Sequence, residues 1–464
     1  MAWIARTFAW LVAACVLAWV LGFLWTRLRP PTAEQAQALS LLATRPPPAD
    51  APNAWANFWL LDYDIPAAQI ASAYALEREQ LAAWAQHRRD ASAPGDYVGT
   101  LGQRFSKRPA LSPDDQKQLC RGADDNCLAK VRANAPVLGK LLAAQAGRLA
   151  QIRAIPLNAV LWDDTPLSLD TPTPSFAQAG NLRLTAAAWD FVDGRQEVAM
   201  AQVCHDARVV RQLHAHTNSL LGAMVADAWM DSIERLLAGM LREWPAVQPV
   251  PADCALAFAP VTRADVDLCA PVRREYQYAL TAMAIVDGEP SHGASRLQRL
   301  LVAPGRTRAL LAPRYAWSCQ AQTTDGMQND IRLSSDQIPP LRPDLFDRVA
   351  NPMGRLLAGV AAPGYTKYMN RNADFAAGLR LTSWFLATRA SATTPQAWRK
   401  AFHQALPALQ RGGSRRFQLD DSKRQLLMPY SKPRRHRDAL VLPLSPWREV
   451  PLLHQTGALP NMVQ

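Results

Sequence analysis

The apolar positions along this 464-residue chain fall into three regimes. The first is continuous. From Phe8 to Trp25 there is no charge and no proline, and Gly22 is the one glycine. At a helical rise of ~1.5 Å per residue the run covers roughly 27 Å, close to the thickness of a hydrocarbon core. Trp3, Trp10, Trp19 and Trp25 include rings near both ends, as an interfacial aromatic belt places them. The second regime is helical. Ile70, Tyr74, Leu81 and Trp84 predict a helix over Ala67 to Arg88. Leu128, Val131, Leu138, Leu141, Leu142, Leu149 and Ile152 predict one from Asp125 to Ile155, with Pro136 kinking its early part. Successive antiparallel helices follow at Leu182–Val192, Gln196–Leu213 and Thr217–Trp244, with a turn at Gly194 and Thr217 or Asn218 as N-cap of the last. Further helices are predicted over 262–285, 293–302 and Tyr365–Thr388. The third regime is short and strand-like. Arg416–Leu419, the polar turn Asp420–Lys423 and Arg424–Met428 read as a β-hairpin, and Asp438–Leu444 adds a third strand.

Prolines divide these regimes. The expected architecture is mostly α: an N-terminal transmembrane helix (1–29), a Pro-rich linker (30–57), an α-helical hairpin or bundle body (58–410), and a basic tail with a small β-hairpin (411–464). Residues 45–52 hold Pro46, Pro47, Pro48 and Pro52 and should be extended, spacing the body from the membrane. Pro156, Pro166, Pro172 and Pro174 mark 156–180 as a subdivision of the body or a long surface loop.

Apart from Cys15 inside the apolar run, six cysteines remain: Cys120, Cys127, Cys204, Cys254, Cys269 and Cys319. An even number at these spacings predicts disulfides. Proximity in sequence suggests Cys120 with Cys127 and Cys254 with Cys269, leaving Cys204 for Cys319; other connectivities stay open. Disulfides belong to an oxidising compartment. Together with the apolar helix they predict a protein anchored in the inner membrane by a single pass, with its body in the periplasm. A cleavable signal peptide is the alternative. It wants a shorter apolar stretch and a small-x-small site, and Pro31-Thr32-Ala33 is a poor match. The formal net charge of +12 then changes meaning. An exported body meets no nucleic acid, so anionic lipid or cell-wall polymer becomes the acidic partner at hand.

Local motifs for chemistry are few. Cys204-His205-Asp206 is adjacent in sequence, but consecutive helical residues point about 100° apart and do not converge. His205, His214 and His216 lack the three-or-four spacing of helical metal ligands. Asp62 with Asp64, and Asp163 with Asp164 beside Trp162, are close carboxylates, whereas glycosidic chemistry needs a pair held across a cleft. No phosphate-binding loop, nucleophile elbow or dinucleotide fingerprint occurs. No catalytic, cofactor or metal residue is therefore assigned, and no cofactor is expected. The run Lys432-Pro433-Arg434-Arg435-His436-Arg437 reads as a solvated basic loop between strands.

Three stretches carry a resemblance: Asn351-Pro352-x-Gly354-Arg355-Leu356-Leu357, Tyr365-x-x-Tyr368, and the helix start Asp125-x-Cys127-Leu128-Ala129-Lys130-Val131-Arg132. The chain resembles a group of proteobacterial proteins of unassigned activity with one N-terminal membrane helix and a helical exported body. The resemblance implies that architecture and carries no activity. The expected role is interaction with an envelope protein partner, or envelope structure. An exported hydrolase acting on cell-wall or lipid material is the alternative.

Overall fold

The computed structural model describes residues 2–47, 51–90, 97–122, 124, 126–168, 170–245, 248–286, 301–361, 364–410, 415–434 and 437–444. The helices are α1 (Ala2–Leu28), α2 (Ala33–Leu41), α3 (Ala54–Trp59), α4 (Ile70–Asp90), α5 (Pro113–Gln118), α6 (Cys127–Ala144), α7 (Ala146–Arg153), α8 (Phe176–Val192), α9 (Gln196–Ala215), α10 (Leu220–Glu243), α11 (Ala252–Ala257), α12 (Cys269–Val286), α13 (Pro304–Ala316), α14 (Ala321–Gln328), α15 (Leu345–Ala350), α16 (Pro352–Val360), α17 (Thr366–Arg389) and α18 (Pro395–Leu409). The strands are β1 (Gln418–Asp420), β2 (Gln425–Arg434) and β3 (Arg437–Pro443), an antiparallel sheet in that order. The fold is mostly α with a small C-terminal sheet, as the periodicity predicts. The predicted helix 293–302 lies, apart from its last two residues, outside the described residues.

Two long helices hold the body together. Helix α17 is buried on nearly all sides from Asn372 through Thr382, and its buried polar residues include Asn370, Asn372 and Asp374. Helix α10 crosses it. Its N-terminal Leu220 and Ala223 belong to a core formed with α2, α12, α13 and the start of α17. Its later residues, from Ala226 to Leu241, join a larger core with α6, α8, α9, α18 and the sheet. A third core gathers α3, α4 and the ends of α8 and α9 around Trp55, Phe58, Phe176 and Leu213.

The differences from expectation have local causes. Helix α10 starts later, because Ser219 rather than Thr217 or Asn218 caps it, its hydroxyl accepting from the Gly222 N–H at 3.2 Å. The Asp125–Ile155 pattern splits at Gln145 into α6 and α7, and the kink in α6 centres on Asn134, two residues before Pro136. Within the expected linker, residues 33–41 form a helix. Thr32 and Gln35 make a capping box, and Ala38 and Leu42 are buried against α12 and α13. This segment docks on the body.

The segment 156–180 is partly built into the body, while Pro156, Asn158, Pro172 and Thr173 stay exposed. Ala159, Val160 and Leu161 are buried, with parallel bridges to Asn53 and Thr217. Buried backbone needs partners. Asn53 supplies both bonds to the Trp162 peptide (2.7 and 3.0 Å), and Asn218 supplies both to Asp163 (2.7 and 2.9 Å). The described part of the expected tail, 415–434 and 437–444, is also integrated. Leu426, Met428, Leu440 and Leu442 enter the largest core. Arg415, itself buried, donates to Asp330 (2.8 Å) and Asp374 (2.7 Å), and Asp374 accepts from the Ser431 backbone.

The six cysteines stand in three pairs at disulfide distance: Cys120–Cys127, Cys204–Cys254 and Cys269–Cys319. The first is the pair proximity suggests. The other two correct the expected pairing of Cys254 with Cys269 and Cys204 with Cys319. Cys254 lies in α11, which packs on α9 and so faces Cys204; Cys269 heads α12, where the turn after α13 brings up Cys319. Spatial neighbours decide the pairing here, and the nearest cysteines in sequence are not those neighbours.

Candidate functional site

The residues singled out for chemistry are dispersed. Cys204 is bonded to Cys254, and His205 Nδ1 lies 3.7 Å from Asp253. Asp206 is buried and accepts from Arg183 and from Gln202 (2.7 Å). His214 is buried in the core, its Nε2 3.0 Å from Asp227 and its ring stacked on Phe375 at 4.2 Å. His216 Nδ1 rests 3.1 Å from the Gln212 carbonyl. The carboxylate pairs meet arginines instead of each other across a cleft. Asp62 accepts from Arg148 (2.9 Å), Asp64 from Arg108 (3.3 Å), Asp163 from Arg274 (2.8 Å) and Asp164 from Arg78. The Tyr74 hydroxyl also donates to Asp164 at 2.5 Å; burial first, then the Asp164 charge, raises its pKa well above the usual phenol range. Among the described residues no group of three or more His, Cys, Asp or Glu is placed to hold a metal ion. Of the run Lys432–Arg437, Arg435 and His436 lie outside the described residues.

Two features stand out instead. The first is the junction between α1 and the body. Residues Arg6–Trp25 of α1 are long and apolar enough to cross a membrane, and almost none of that stretch is covered by the rest of the chain. Its last turn is different. Arg29, just past the helix, reaches Asp344 and Asp347 (3.1 Å), and the Arg27 guanidinium donates to the Val302 carbonyl at 2.7 Å. Asp347 is fully buried and also accepts from Arg306 at 2.6 and 2.8 Å. Arg306 in turn donates to Gln35 at 2.8 Å. One network thus ties the end of α1, helix α2, α13 and α15 together. Burial alone would raise the Asp344 pKa. The Arg29 hydrogen bond, the Asp347 N–H and the charges of Arg29 and Arg306 outweigh it and hold the group below the usual carboxylate range. Two spacings announce this network: Thr32-x-x-Gln35 and Asp344-x-x-Asp347, both capping boxes.

The second feature is a groove of about 530 Å³ between the Cys120–Cys127 loop, α10 and β3. Leu128, Leu184 and Leu236 line its apolar wall, and Arg121, Arg235, Arg242 and Arg437 its polar one, with Asp124 and Asp438. Arg235 and Arg437 donate to the Gly122 carbonyl (2.7 and 2.9 Å), so the disulfide loop forms a pinned rim. Its size is that of a ligand pocket, and its lining pairs apolar surface with guanidinium groups.

No protein-family model matches this chain. No curated protein and no solved structure matches it either.

Proposed function

We propose that this chain is a single-pass membrane-anchored protein of the bacterial envelope, with its body in the periplasm, acting by binding. The observation that carries the reading is α1: an apolar helix of spanning length, exposed along most of its length and held by the body at its C-terminal end, from Gly22 onward. A core helix of a folded protein would be buried. The three cysteine pairs support an oxidising compartment. The arginine-lined groove is the contact site in this reading, and an acidic segment of an envelope partner is what its charge suits. The competing hydrolase reading needs carboxylates or histidines gathered on a cleft. Asp163 and Asp164 do line one small pocket with Trp162, but each is bound to an arginine, as are Asp62 and Asp64, which favours binding.

The test is topological. The full chain should stay with the membrane after alkaline carbonate extraction. Its body should be digested by protease added outside spheroplasts. Release by carbonate, or a body protected in spheroplasts, would sink the reading.

A further inference from the structure

Beside the junction, helices α15 and α16 expose large apolar side chains to solvent. Leu345, Phe346 and Val349 on α15, and Met353, Leu356 and Val360 on α16, are all exposed, Val360 at 79 % and Leu345 at 70 %. A soluble surface seldom gathers so many without a partner. Each helix is two-faced. In α16, Gly354 and Ala358 face inward, Gly354 so closely that a Cβ would collide with Thr307 and Asn351, while Met353, Leu356 and Val360 share the opposite side. The segment 341–361 has two acidic residues, Asp344 and Asp347, and both are held by Arg29 and Arg306. Its remaining charges are Arg342, Arg348 and Arg355, all exposed.

The position of this face decides what covers it. The Phe346 ring packs on Gly22 of α1, with ring carbons 3.1 and 3.3 Å from where a Cβ would stand. Gly22 lies inside the apolar stretch, three residues before its end at Trp25. Three residues of helix rise about 4.5 Å. The Phe346 ring, and with it the start of α15, therefore sits at the level where the spanning stretch ends, and slightly within it.

We infer that α15 and α16 form a second, interfacial membrane contact: their apolar face enters the acyl boundary of the leaflet where α1 ends, and Arg342, Arg348 and Arg355 meet anionic phospholipid headgroups. This rests on the membrane-anchored reading of α1. An in-plane amphipathic helix of this kind buries its apolar face about 5–10 Å into the boundary. The combined effect is to fix the body against the membrane surface, with Arg29 and Asp347 locking its angle to the anchor. The contact is sensitive to lipid charge, because the exposed cations gain from an anionic surface.

The test uses the full chain in mixed phosphatidylcholine–phosphatidylglycerol vesicles. An environment-sensitive fluorophore is placed on Leu356→Cys in a Cys15→Ala background, with Leu17→Cys and Ser422→Cys as reference sites. The label at 356 should shift to the blue. It should lose fluorescence more to quenchers near the headgroup than to quenchers at the chain end. The label at 17 should show the reverse depth preference, and the one at 422 should read as water. In Arg348→Glu with Arg355→Glu the blue shift at 356 should shrink in the mixed vesicles and not in pure phosphatidylcholine. A water-like label at 356 with a deep label at 17 overturns the interfacial contact and leaves the anchor standing. A water-like label at both sites overturns the anchor as well. Self-quenching between labels at 356 at high lipid dilution assigns the face to a second copy of the chain and overturns the lipid contact.

Discussion

Removing one carboxylate from the anchor junction should destabilise the body far more than removing a typical one. Asp347 has no exposed surface and accepts from Arg306 at 2.6 and 2.8 Å, from Arg29 at 3.1 Å, and from the Asp344 N–H at 3.0 Å. In Asp347→Asn the side chain keeps its shape and loses its charge. Arg306, itself buried, keeps only the Asp344 carboxylate at 4.0 Å, and Arg29 keeps one of its two. Breaking a buried pair from one side costs about 3–5 kcal/mol. The comparison variant is Asp64→Asn. Asp64 meets Arg108 at 3.3 Å with its side chain 74 % exposed, and such pairs contribute about 0–1 kcal/mol. Urea unfolding of the two full-length variants in detergent, followed by circular dichroism, measures both. A loss below about 1 kcal/mol for Asp347→Asn, no larger than for Asp64→Asn, would refute the network as a structural lock.

The cysteine pairing makes a graded prediction. Cys204–Cys254 and Cys269–Cys319 each close 50 residues, so replacing either pair with alanine should cost about 4 kcal/mol, and the seven-residue Cys120–Cys127 link about 2 kcal/mol, read as shifts in urea midpoint. Acid should weaken the body. Burial would raise the Asp265 pKa, but Arg211 and the Thr262 N–H and hydroxyl outweigh it and hold the group below the usual range. With a folded pKa below the unfolded value of about 3.9, its stabilisation is complete above that pH and lost as pH falls through the folded value. Asp265→Asn should flatten that part of the stability profile between about pH 5 and pH 2. Gly354→Val should cost about 1–3 kcal/mol, because the added carbons drive into Thr307 and Asn351; thermal unfolding checks it, and an unchanged midpoint would mean that α16 is not seated as described.

Helices α4, α6 to α10, α12 and α17 were readable because their apolar residues repeat at helical spacing and meet one another within a few turns, whereas α13 to α16 and α18 were not predicted. Leu128, Val131 and Leu138 are an example: all three are buried in one core. The long-range features were not readable, and for a common reason. Helix packing decides which cysteine faces which, and no local spacing brings Cys254 to Cys204. Proline density in 156–180 marks a segment that is non-helical until α8 begins at Phe176, but says nothing of the burial of Ala159–Leu161; Asn53 and Asn218, distant in sequence, make that burial tolerable. The Thr32-x-x-Gln35 box inside the supposed linker was a legible signal outweighed by the prolines behind it. At the junction, Arg29 resembles an ordinary charge flanking an apolar helix. Its contacts with Asp344 and Asp347 become visible when α15 is folded against Gly22. Proximity in sequence does not make a shared site: Asp163 and Asp164 turn to different arginines, Arg274 and Arg78.

The central claim is that an intact anchor holds this body in an oxidising compartment. The most direct measurement is the intact mass, under non-reducing conditions, of the native chain taken from membranes after alkylation of free thiols. The account predicts an uncleaved N-terminal helix, one alkylated thiol at Cys15, and peptides linked as Cys120–Cys127, Cys204–Cys254 and Cys269–Cys319. A chain that begins after α1, or one with all its cysteines alkylated, would contradict it.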